Sequence, residues 1–133
     1  MITTGPPPPQ TLQTLASQPP DGAGIGFLLT DGSVIFQGGN FSDWSKLTPD
    51  DSGSYLKGTW SQIASLPAGY APLYFASAVL ADGRLVIVGG EYNFGNFVLT
   101  NLGAIYDPVA DTWASLLPPT MMVRVAALAA SSP

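Results

Sequence analysis

The sequence predicts an all-β fold made of two tandem copies of a four-stranded antiparallel unit. The first observation is an internal repeat, because residues 26–39 align without a gap on residues 77–90, 51 positions later. The second is an Asp-Gly pair in each copy, Asp31-Gly32 and Asp82-Gly83, which is a strong signal for a tight hairpin turn. The third is that no stretch of useful length has helical periodicity.

The first two strands of each copy flank the Asp-Gly turn. Short apolar runs at residues 27–29 and 76–80 precede the turn, and nearly continuous apolar runs at residues 33–37 and 84–88 follow it. Continuous runs of this kind are typical of strands that are buried on both faces. Each copy therefore begins with a hairpin whose second strand is expected to lie in the interior.

The third and fourth strands are clearer in the second copy than in the first. Residues 103–107 and 112–116 are predicted strands joined by a short turn. In the first copy the third strand is predicted at about residues 46–48, and a longer turn leads to a fourth strand at residues 58–63.

Glycine pairs and aromatic residues recur at matching places in the two copies. Gly38-Gly39 and Gly89-Gly90 end the second strands, where a residue without a Cβ lets the chain turn sharply or lets another backbone approach. Trp60 and Trp113, 53 positions apart, are predicted to cover the face of one sheet where it meets the next. Tyr106 precedes the second tryptophan by seven residues.

This order of Asp-Gly, apolar strand, Gly-Gly, Tyr and Trp resembles the kelch repeat of β-propellers, including bacterial kelch proteins and the propeller of galactose-oxidase-like enzymes. The resemblance covers roughly residues 11–118 and implies blades of about 50 residues around a central channel. Copy one departs from the pattern, since Thr48 is the predicted equivalent of Tyr106, with five extra residues before Trp60. The predicted fold class is an incomplete propeller of two kelch-type blades.

The chain is predicted to contain a linker, a partial propeller and a tail. The predicted segments are a proline-rich disordered linker at 1–10, a partial propeller at 11–120 with blade one at about 25–63 and blade two at about 74–117, and a tail at 121–133. Residues 11–15 resemble the start of the fourth strand of blade one, which predicts the last strand of a preceding blade. The tail is expected to be a partial strand of a following blade or frayed chain.

Composition excludes several kinds of partner. A net charge of -5 with four Lys and Arg residues cannot neutralise a phosphate backbone, so we expect no nucleic acid partner. No apolar run approaches the roughly 20 residues of a spanning helix, so we expect no membrane insertion. No signal peptide is visible at the N-terminus, and the compartment is left open, with an extracellular location if the chain is a fragment of a secreted protein.

The sequence contains no Cys and no His, which excludes catalytic triads, thiolate sites and imidazole metal sites within these residues. In the galactose-oxidase-like relatives that the resemblance implies, copper chemistry requires histidine ligands and a cysteine-linked tyrosine. We therefore predict no metal site, no cofactor, no catalytic residue and no enzymatic activity.

One end of the predicted blades carries the long connections, and these are rich in aromatic and amide side chains. Aromatic faces supply contact area and polar groups fix orientation, so this rim is a predicted binding surface for carbohydrate or protein. The candidate ligand-binding residues are Asn40, Phe41, Asp43, Trp44, Glu91, Tyr92, Asn93 and Phe94. The alternative for these rings is that they fold back and seal their own loops. The function predicted on this basis is a non-enzymatic binding or interaction module, and the alternative is a structural fragment of a larger propeller with no ligand site of its own.

Two blades leave two unpaired faces. Repeat architectures usually need at least about three units, because each unit buries its faces against its neighbours. We therefore expect self-association or contact with other propeller blades, for instance three chains forming a six-bladed ring.

Overall fold

The computed structural model describes residues 5–6 and 10–117, and these residues form β-strands and no helix. The strands are β1 (Gly26–Leu28), β2 (Val34–Gln37), β3 (Trp44–Thr48), β4 (Thr59–Ile63), β5 (Pro72–Leu73), β6 (Ala76–Val79), β7 (Leu85–Val88), β8 (Tyr92–Asn93), β9 (Asn96–Phe97), β10 (Gly103–Asp107) and β11 (Thr112–Leu116). The predicted tail at 121–133 and most of the predicted linker at 1–10 lie outside the described residues. Within the described residues, no helix has the length and apolar character needed to span a membrane.

Two four-stranded antiparallel sheets form the body of the molecule. Blade one has the order β1-β2-β3-β4, and blade two has the order β6-β7-β10-β11. This result confirms the predicted fold class, and the described residues form no closed propeller.

The Asp-Gly turns have the same hydrogen bonds in both blades. Leu29 N donates to Ser33 O at 2.9 Å, and Leu80 N donates to Arg84 O at 2.7 Å. The Asp31 carboxylate accepts from Ser33 N at 2.9 Å and Asp82 accepts from Arg84 N at 3.1 Å, so each aspartate closes its own turn.

A third, small sheet was not predicted. It has the order β5-β8-β9 and is built from residues 64–75 between the blades, which we call the link, and from the long connection between β7 and β10. The register joins Pro72 with Asn93 and Tyr92 with Phe97. The sheet therefore ties the link to a loop of blade two.

The core lies between the two blades, and we call it the seam. Trp44 of blade one packs against Trp113 of blade two, with ring centroids 5.2 Å apart. Phe27 stacks on Trp44 at 6.1 Å and lies 6.4 Å from Phe75. The other principal seam residues are Leu29, Ile35 and Ile63 from blade one and Leu85, Ile87, Ala104 and Tyr106 from blade two.

The two tryptophans at equivalent positions of the repeat, Trp60 and Trp113, pack on other side chains and also donate hydrogen bonds to the backbone. Trp113 Nε1 donates to Ala64 O at 2.9 Å, in the link that leaves blade one. Trp60 Nε1 donates to Ser17 O at 3.0 Å, in the segment that precedes blade one. In each blade, the tryptophan of the fourth strand thus binds the segment of chain that leads into that blade.

One detail of the predicted pattern is wrong, and another stays a prediction. Residues 11–15 form no strand here, and the described residues contain no inner strands of a preceding blade with which they could pair, so their assignment to its last strand stays a prediction. The segment that follows them contacts blade one, since Ala16 N donates to Leu56 O at 2.9 Å. Leu47, not Thr48, is equivalent to Tyr106. Leu47 pairs with Val34 and Trp60, as Tyr106 pairs with Leu85 and Trp113.

Both glycine pairs include a position where another part of the chain approaches closely. An ideal Cβ on Gly38 would lie 2.8 Å from Asp21 Oδ2 and 3.0 Å from Asp43 O. An ideal Cβ on Gly90 would lie 3.0 Å from the Cβ atom of Pro72 and 3.1 Å from Leu73 O, and Gly90 also has a φ of 146°, which side chains rarely tolerate.

Candidate functional site

The candidate site lies at the rim, the end of the blades where the chain leads into β1, leaves β2 and enters β6. Segments from these three places enclose a cavity of about 430 Å³. The lining residues are Ala23, Gly24, Ile25, Gln37, Gly38, Gly39, Phe41, Leu73, Tyr74 and Phe75. Blade one and the link to blade two therefore build the cavity together, and we call it the rim pocket.

Gln37 is the one lining residue with a polar side chain that is almost fully buried, at 2% exposure. Its Nε2 donates to Phe41 O at 2.9 Å and to Pro72 O at 2.8 Å. Two carbonyl partners fix the amide orientation, because only the NH₂ group can donate to them. The side chain thereby connects the β2–β3 loop of blade one to β5 in the link.

The carbonyl oxygen of the Gln37 amide accepts no hydrogen bond from the residues that the structure describes. An ideal Cβ on Gly24, which also lines the pocket, would lie 3.9 Å from this Oε1 atom. The rim pocket therefore has one oriented acceptor among walls that are otherwise mainly apolar. Such a wall suits a ligand with an O–H or N–H group and an apolar face.

Three aromatic residues at the rim have a left-handed backbone conformation. Phe41, Tyr74 and Phe94 have φ values of 68°, 55° and 51°. Positive φ is uncommon for bulky side chains and is characteristic of positions that the surrounding structure constrains. Two of these residues line the rim pocket, and Tyr74 is 74% exposed, so its ring is available at the pocket mouth.

Asn40 and Asp43, two predicted ligand-binding residues, form the internal bonds of the β2–β3 loop. Asn40 Nδ2 donates to Asp43 Oδ2 at 2.6 Å, and Asp43 N donates back to Asn40 Oδ1 at 2.8 Å. Ser65 Oγ also donates to the Asp43 carboxylate. Hydrogen bonds from Ser65 and then Asn40 hold the pKa of Asp43 below its ordinary value. The carboxylate is therefore used to brace the loop against the link.

The predicted residues of the second loop are placed around the small sheet. Asn93 accepts from Ala71 N at 2.8 Å and donates to Gly69 O at 3.0 Å, so its amide is used by the link. The Tyr92 ring lies between Tyr74 at 5.8 Å and Phe97 at 5.6 Å. The Tyr92 ring thus packs against the ring of Tyr74, which lines the rim pocket.

The remaining two residues of this loop have different environments. The Glu91 backbone bonds to Leu73 O and Val98 N, and its side chain is exposed. Phe94 is 53% exposed and does not line the rim pocket. Among the eight predicted ligand-binding residues, Phe41 is the one that lines the pocket.

Trp44 requires a correction. The sequence placed it among the rim residues, but the structure buries it completely in the seam, where it packs on Phe27 and Trp113. Its side chain lies on the face of β3 that is turned to blade two, so a ligand at the rim cannot reach it. Its Nε1 atom has no hydrogen-bond partner among the described residues.

Sequence reasoning missed Gln37, Tyr74 and Phe75. Gln37 carried a usable signal, because it is a polar residue at the end of an apolar strand where the second copy has Val88. Tyr74 and Phe75 carried none, since they lie at the boundary between the link and β6, and the left-handed backbone conformation of Tyr74 is not indicated by its sequence neighbours.

Comparison with known proteins places the sequence near two oxidases. The sequence matches no protein-family model. Two galactose oxidases from Gibberella zeae are each 33% identical to it over 86 residues, which is 65% of this chain and 11% of the relative. The chain therefore spans about a tenth of the length of these curated relatives.

A solved structure is also similar. It is described as a novel fungal alcohol oxidase with catalytic diversity among the AA5 family, in complex with copper. It is 24% identical, covers 67% of this chain and 17% of that chain, and gives a TM-score of 0.49.

These relatives are enzymes, and they overturn two predictions. The protein was predicted not to be an enzyme, and its function was predicted to be a non-enzymatic binding or interaction module, with a structural fragment of a larger propeller without its own ligand site as the alternative. The predictions of no enzyme and of a non-enzymatic function are wrong, because the sequence relatives are galactose oxidases. The reasoning failed because the absence of His and Cys was established only for this chain, and its match with the relative covers 11% of that relative.

The residues of this chain do not fit a copper centre. No His or Cys occurs in the 133 residues, so the imidazole and thiolate ligands that copper favours are absent from this sequence. The described part of the chain also has no cluster of three or more acidic side chains that could hold a metal ion. No chemical step of this chain is therefore assigned to copper.

Proposed function

We propose that this chain forms two blades of an oxidase related to galactose oxidase, and that its rim pocket holds a hydroxyl-bearing substrate. The observation that carries the proposal is the 33% identity with galactose oxidase over 86 residues. The two four-stranded blades support it, because they are the architecture that the kelch-type resemblance implies. Galactose, which the name of the relatives specifies, is the first substrate to test.

The rim pocket has the chemistry that a sugar requires. The Oε1 atom of Gln37 is oriented by the two bonds of its Nε2 atom and can accept from a hydroxyl group. The rings of Phe41 and Tyr74 offer flat apolar surfaces for the C–H face of a pyranose. A volume of about 430 Å³ lies within the range of roughly 300–1,000 Å³ that is usual for small-molecule sites.

The oxidation itself is assigned to residues of the oxidase outside these two blades. The side chains of this chain bind and orient the substrate, and they exclude water from its apolar face. This division follows from the donor chemistry, since the sequence offers no imidazole and no thiolate.

Binding is tested on the full chain with galactose as the probe, by saturation-transfer NMR. We expect transfer to galactose from the wild-type chain and a several-fold loss in Tyr74→Ala, because Tyr74 forms the exposed wall of the pocket. Tyr55→Ala is the matched control, since Tyr55 bonds to Gly32 O at the opposite end of blade one. Equal signals from the two variants, or no transfer from the wild type, would contradict a sugar site in this pocket.

The oxidase relationship is tested separately with a chimera. The matched 86 residues of the Gibberella zeae galactose oxidase are replaced by those of this chain, and galactose-dependent oxygen consumption is measured. Circular dichroism first establishes that the chimera is folded. Oxygen consumption above that of a copper-free sample is expected, and a folded, copper-loaded chimera without it would overturn the proposal.

A further inference from the structure

Three oxidisable aromatic side chains lie in contact across the seam, and we call them the aromatic row. The ring of Trp44 in blade one is 5.2 Å from the ring of Trp113 in blade two, and the ring of Trp113 is 5.1 Å from that of Tyr106, measured between centroids. These separations are those of directly packed aromatic pairs. An electron can therefore pass from one ring to the next without crossing an intervening group.

The aromatic row is connected to the rim pocket by two phenylalanines. Phe27 stacks on Trp44 at 6.1 Å and lies 6.4 Å from Phe75, which lines the pocket. Phenylalanine is much harder to oxidise than tryptophan or tyrosine, so these two rings bring the row close to the pocket wall without holding a charge themselves.

The three members of the row differ in what can accept their proton. The Tyr106 hydroxyl donates to Asp111 Oδ1 at 3.0 Å, within the reach of about 2.6–3.2 Å that a general base requires. Trp113 Nε1 donates to Ala64 O at 2.9 Å, and a peptide carbonyl is a far weaker base than a carboxylate. Trp44 Nε1 has no partner among the described residues. Tyr106 is thus the member of the row that can lose its proton to a carboxylate.

Burial determines where in the row a lost electron is tolerated. Loss of an electron from a tryptophan ring produces a radical cation, and a charge is costly in an apolar seam because it is removed from water. Loss of an electron together with a proton from the fully buried Tyr106 produces a neutral phenoxyl radical, which does not carry this cost. The proton does not stay in the interior, because Asp111 is exposed and can release it to solvent.

We propose that Tyr106 is a redox-active residue that receives an oxidising equivalent from the seam tryptophans, with Asp111 as its proton acceptor. The step begins when an outer-sphere one-electron oxidant removes an electron from Trp44 or Trp113. One electron then passes from Tyr106 to the oxidised tryptophan, through Trp113 where Trp44 was oxidised. The O–H bond of Tyr106 breaks, its proton moves to Asp111 Oδ1, and the tryptophan is restored. This property does not depend on the proposed function; in an oxidase it leads oxidising equivalents away from the rim pocket.

Pulse radiolysis of the full chain in azide solution tests the electron transfer. The azide radical is a one-electron oxidant that reacts readily with tryptophan, and a Trp60→Phe parent confines this reaction to the two seam tryptophans. The tryptophan radical is expected to decay as the tyrosyl radical grows, at one rate that does not change with protein concentration. Tyr106→Phe is expected to lengthen the tryptophan radical lifetime several-fold. Tyr70→Phe is the matched control and should keep the parent lifetime, since Tyr70 is also buried but donates to the carbonyl oxygen of Gly89 at 2.8 Å.

The role of Asp111 is tested with Asp111→Asn in the same parent. The amide keeps an acceptor oxygen but is not a base, so the tryptophan radical is expected to live several-fold longer although Tyr106 is present. Transfer in the parent should also be slower in deuterium oxide, because the O–H bond breaks in this step. Equal lifetimes in Asp111→Asn and the parent, or a Tyr70→Phe variant that slows transfer as much as Tyr106→Phe, would overturn the proposal. Circular dichroism checks folding, and the asparagine variant decides the question if Tyr106→Phe does not fold.

Discussion

Gln37 shows how one side chain fixes both a loop and a pocket. Its Nε2 atom satisfies the carbonyl groups of Phe41 and Pro72, which lie on opposite sides of the junction between blade one and the link. The equivalent residue of blade two is Val88, so the amide is a local feature of this junction and not of the repeat. Together with the bond from Phe41 N to Gly38 O, it holds Phe41 in the pocket wall.

Replacing Gln37 with the valine of the second copy should destabilise the protein. The Phe41 and Pro72 carbonyls would lose their buried donor, and an unsatisfied buried group costs about 1–3 kcal/mol. For Gln37→Val we expect a loss of about 2 kcal/mol in the free energy of unfolding, measured by urea denaturation. Gln62→Val is the matched control at an exposed position of β4, with an expected change within about 0.5 kcal/mol. Equal losses in the two variants would show that the Gln37 bonds contribute nothing.

The link between the blades is positioned through its backbone. Ala64 N donates to Asp111 Oδ1 at 2.9 Å, and Ala64 O accepts from Trp113 Nε1 at 2.9 Å. Asp111 also accepts from the Tyr106 hydroxyl at 3.0 Å and adopts a φ of 52° in the β10–β11 turn. Burial first, and then this bond to Asp111, raise the pKa of the Tyr106 hydroxyl, so it remains a neutral donor at physiological pH.

Substitutions at Asp111 can separate its hydrogen bonds from its backbone conformation. Asp111→Ala loses both acceptor contacts and puts alanine, which tolerates positive φ less well than aspartate, at this position, so we expect a loss of about 2 kcal/mol. Asp111→Asn keeps an acceptor oxygen and tolerates this conformation, so its unfolding free energy should stay near that of the wild type. Asp111→Gly should fall between them, and an alanine variant as stable as the asparagine variant would refute the assignment. Chemical denaturation measures all three.

The two blades form one core rather than two. Trp44, Ile35 and Ile63 of blade one are covered by residues of blade two, and neither sheet has a buried interior of its own on that side. A blade in a repeat architecture is stabilised mainly by its neighbour. The two sheets should therefore unfold together.

Joint unfolding can be followed at one residue in each blade. We expect the native amide NMR signals of Ile35 and Ile87 to disappear at the same urea concentration, because both residues are fully buried in the seam. Asp111→Ala should lower both midpoints by the same amount at a fixed protein concentration. Separate midpoints for the two signals would mean that each blade is an independent unit.

The sequence predicted the sheets better than the site, for physical reasons. The Asp-Gly turns and the apolar runs are local signals, so β1, β2, β6 and β7 were found. The correspondence of Leu47 with Tyr106 was missed because the unequal turn before β4 hides the pairing register. Trp44 follows a polar loop, and nothing in its sequence neighbours indicates that its face of β3 is turned to the seam. The pocket arises where three distant segments meet, so no local pattern predicted it. The repeat pattern did indicate the galactose-oxidase-like propeller, but it did not indicate that the relatives of this segment are enzymes.

The hydrogen bonds of Asp111 and Trp113 to the Ala64 backbone have a consequence for the evolution of the sequence. Asp111 and Trp113 recognise an amide and a carbonyl, which every residue except proline provides. The side chains of the connecting stretch are therefore free to diverge while its length is restricted. The tryptophan bond recurs in both blades, so each unit of this kind carries its own donor for the stretch of chain that precedes it.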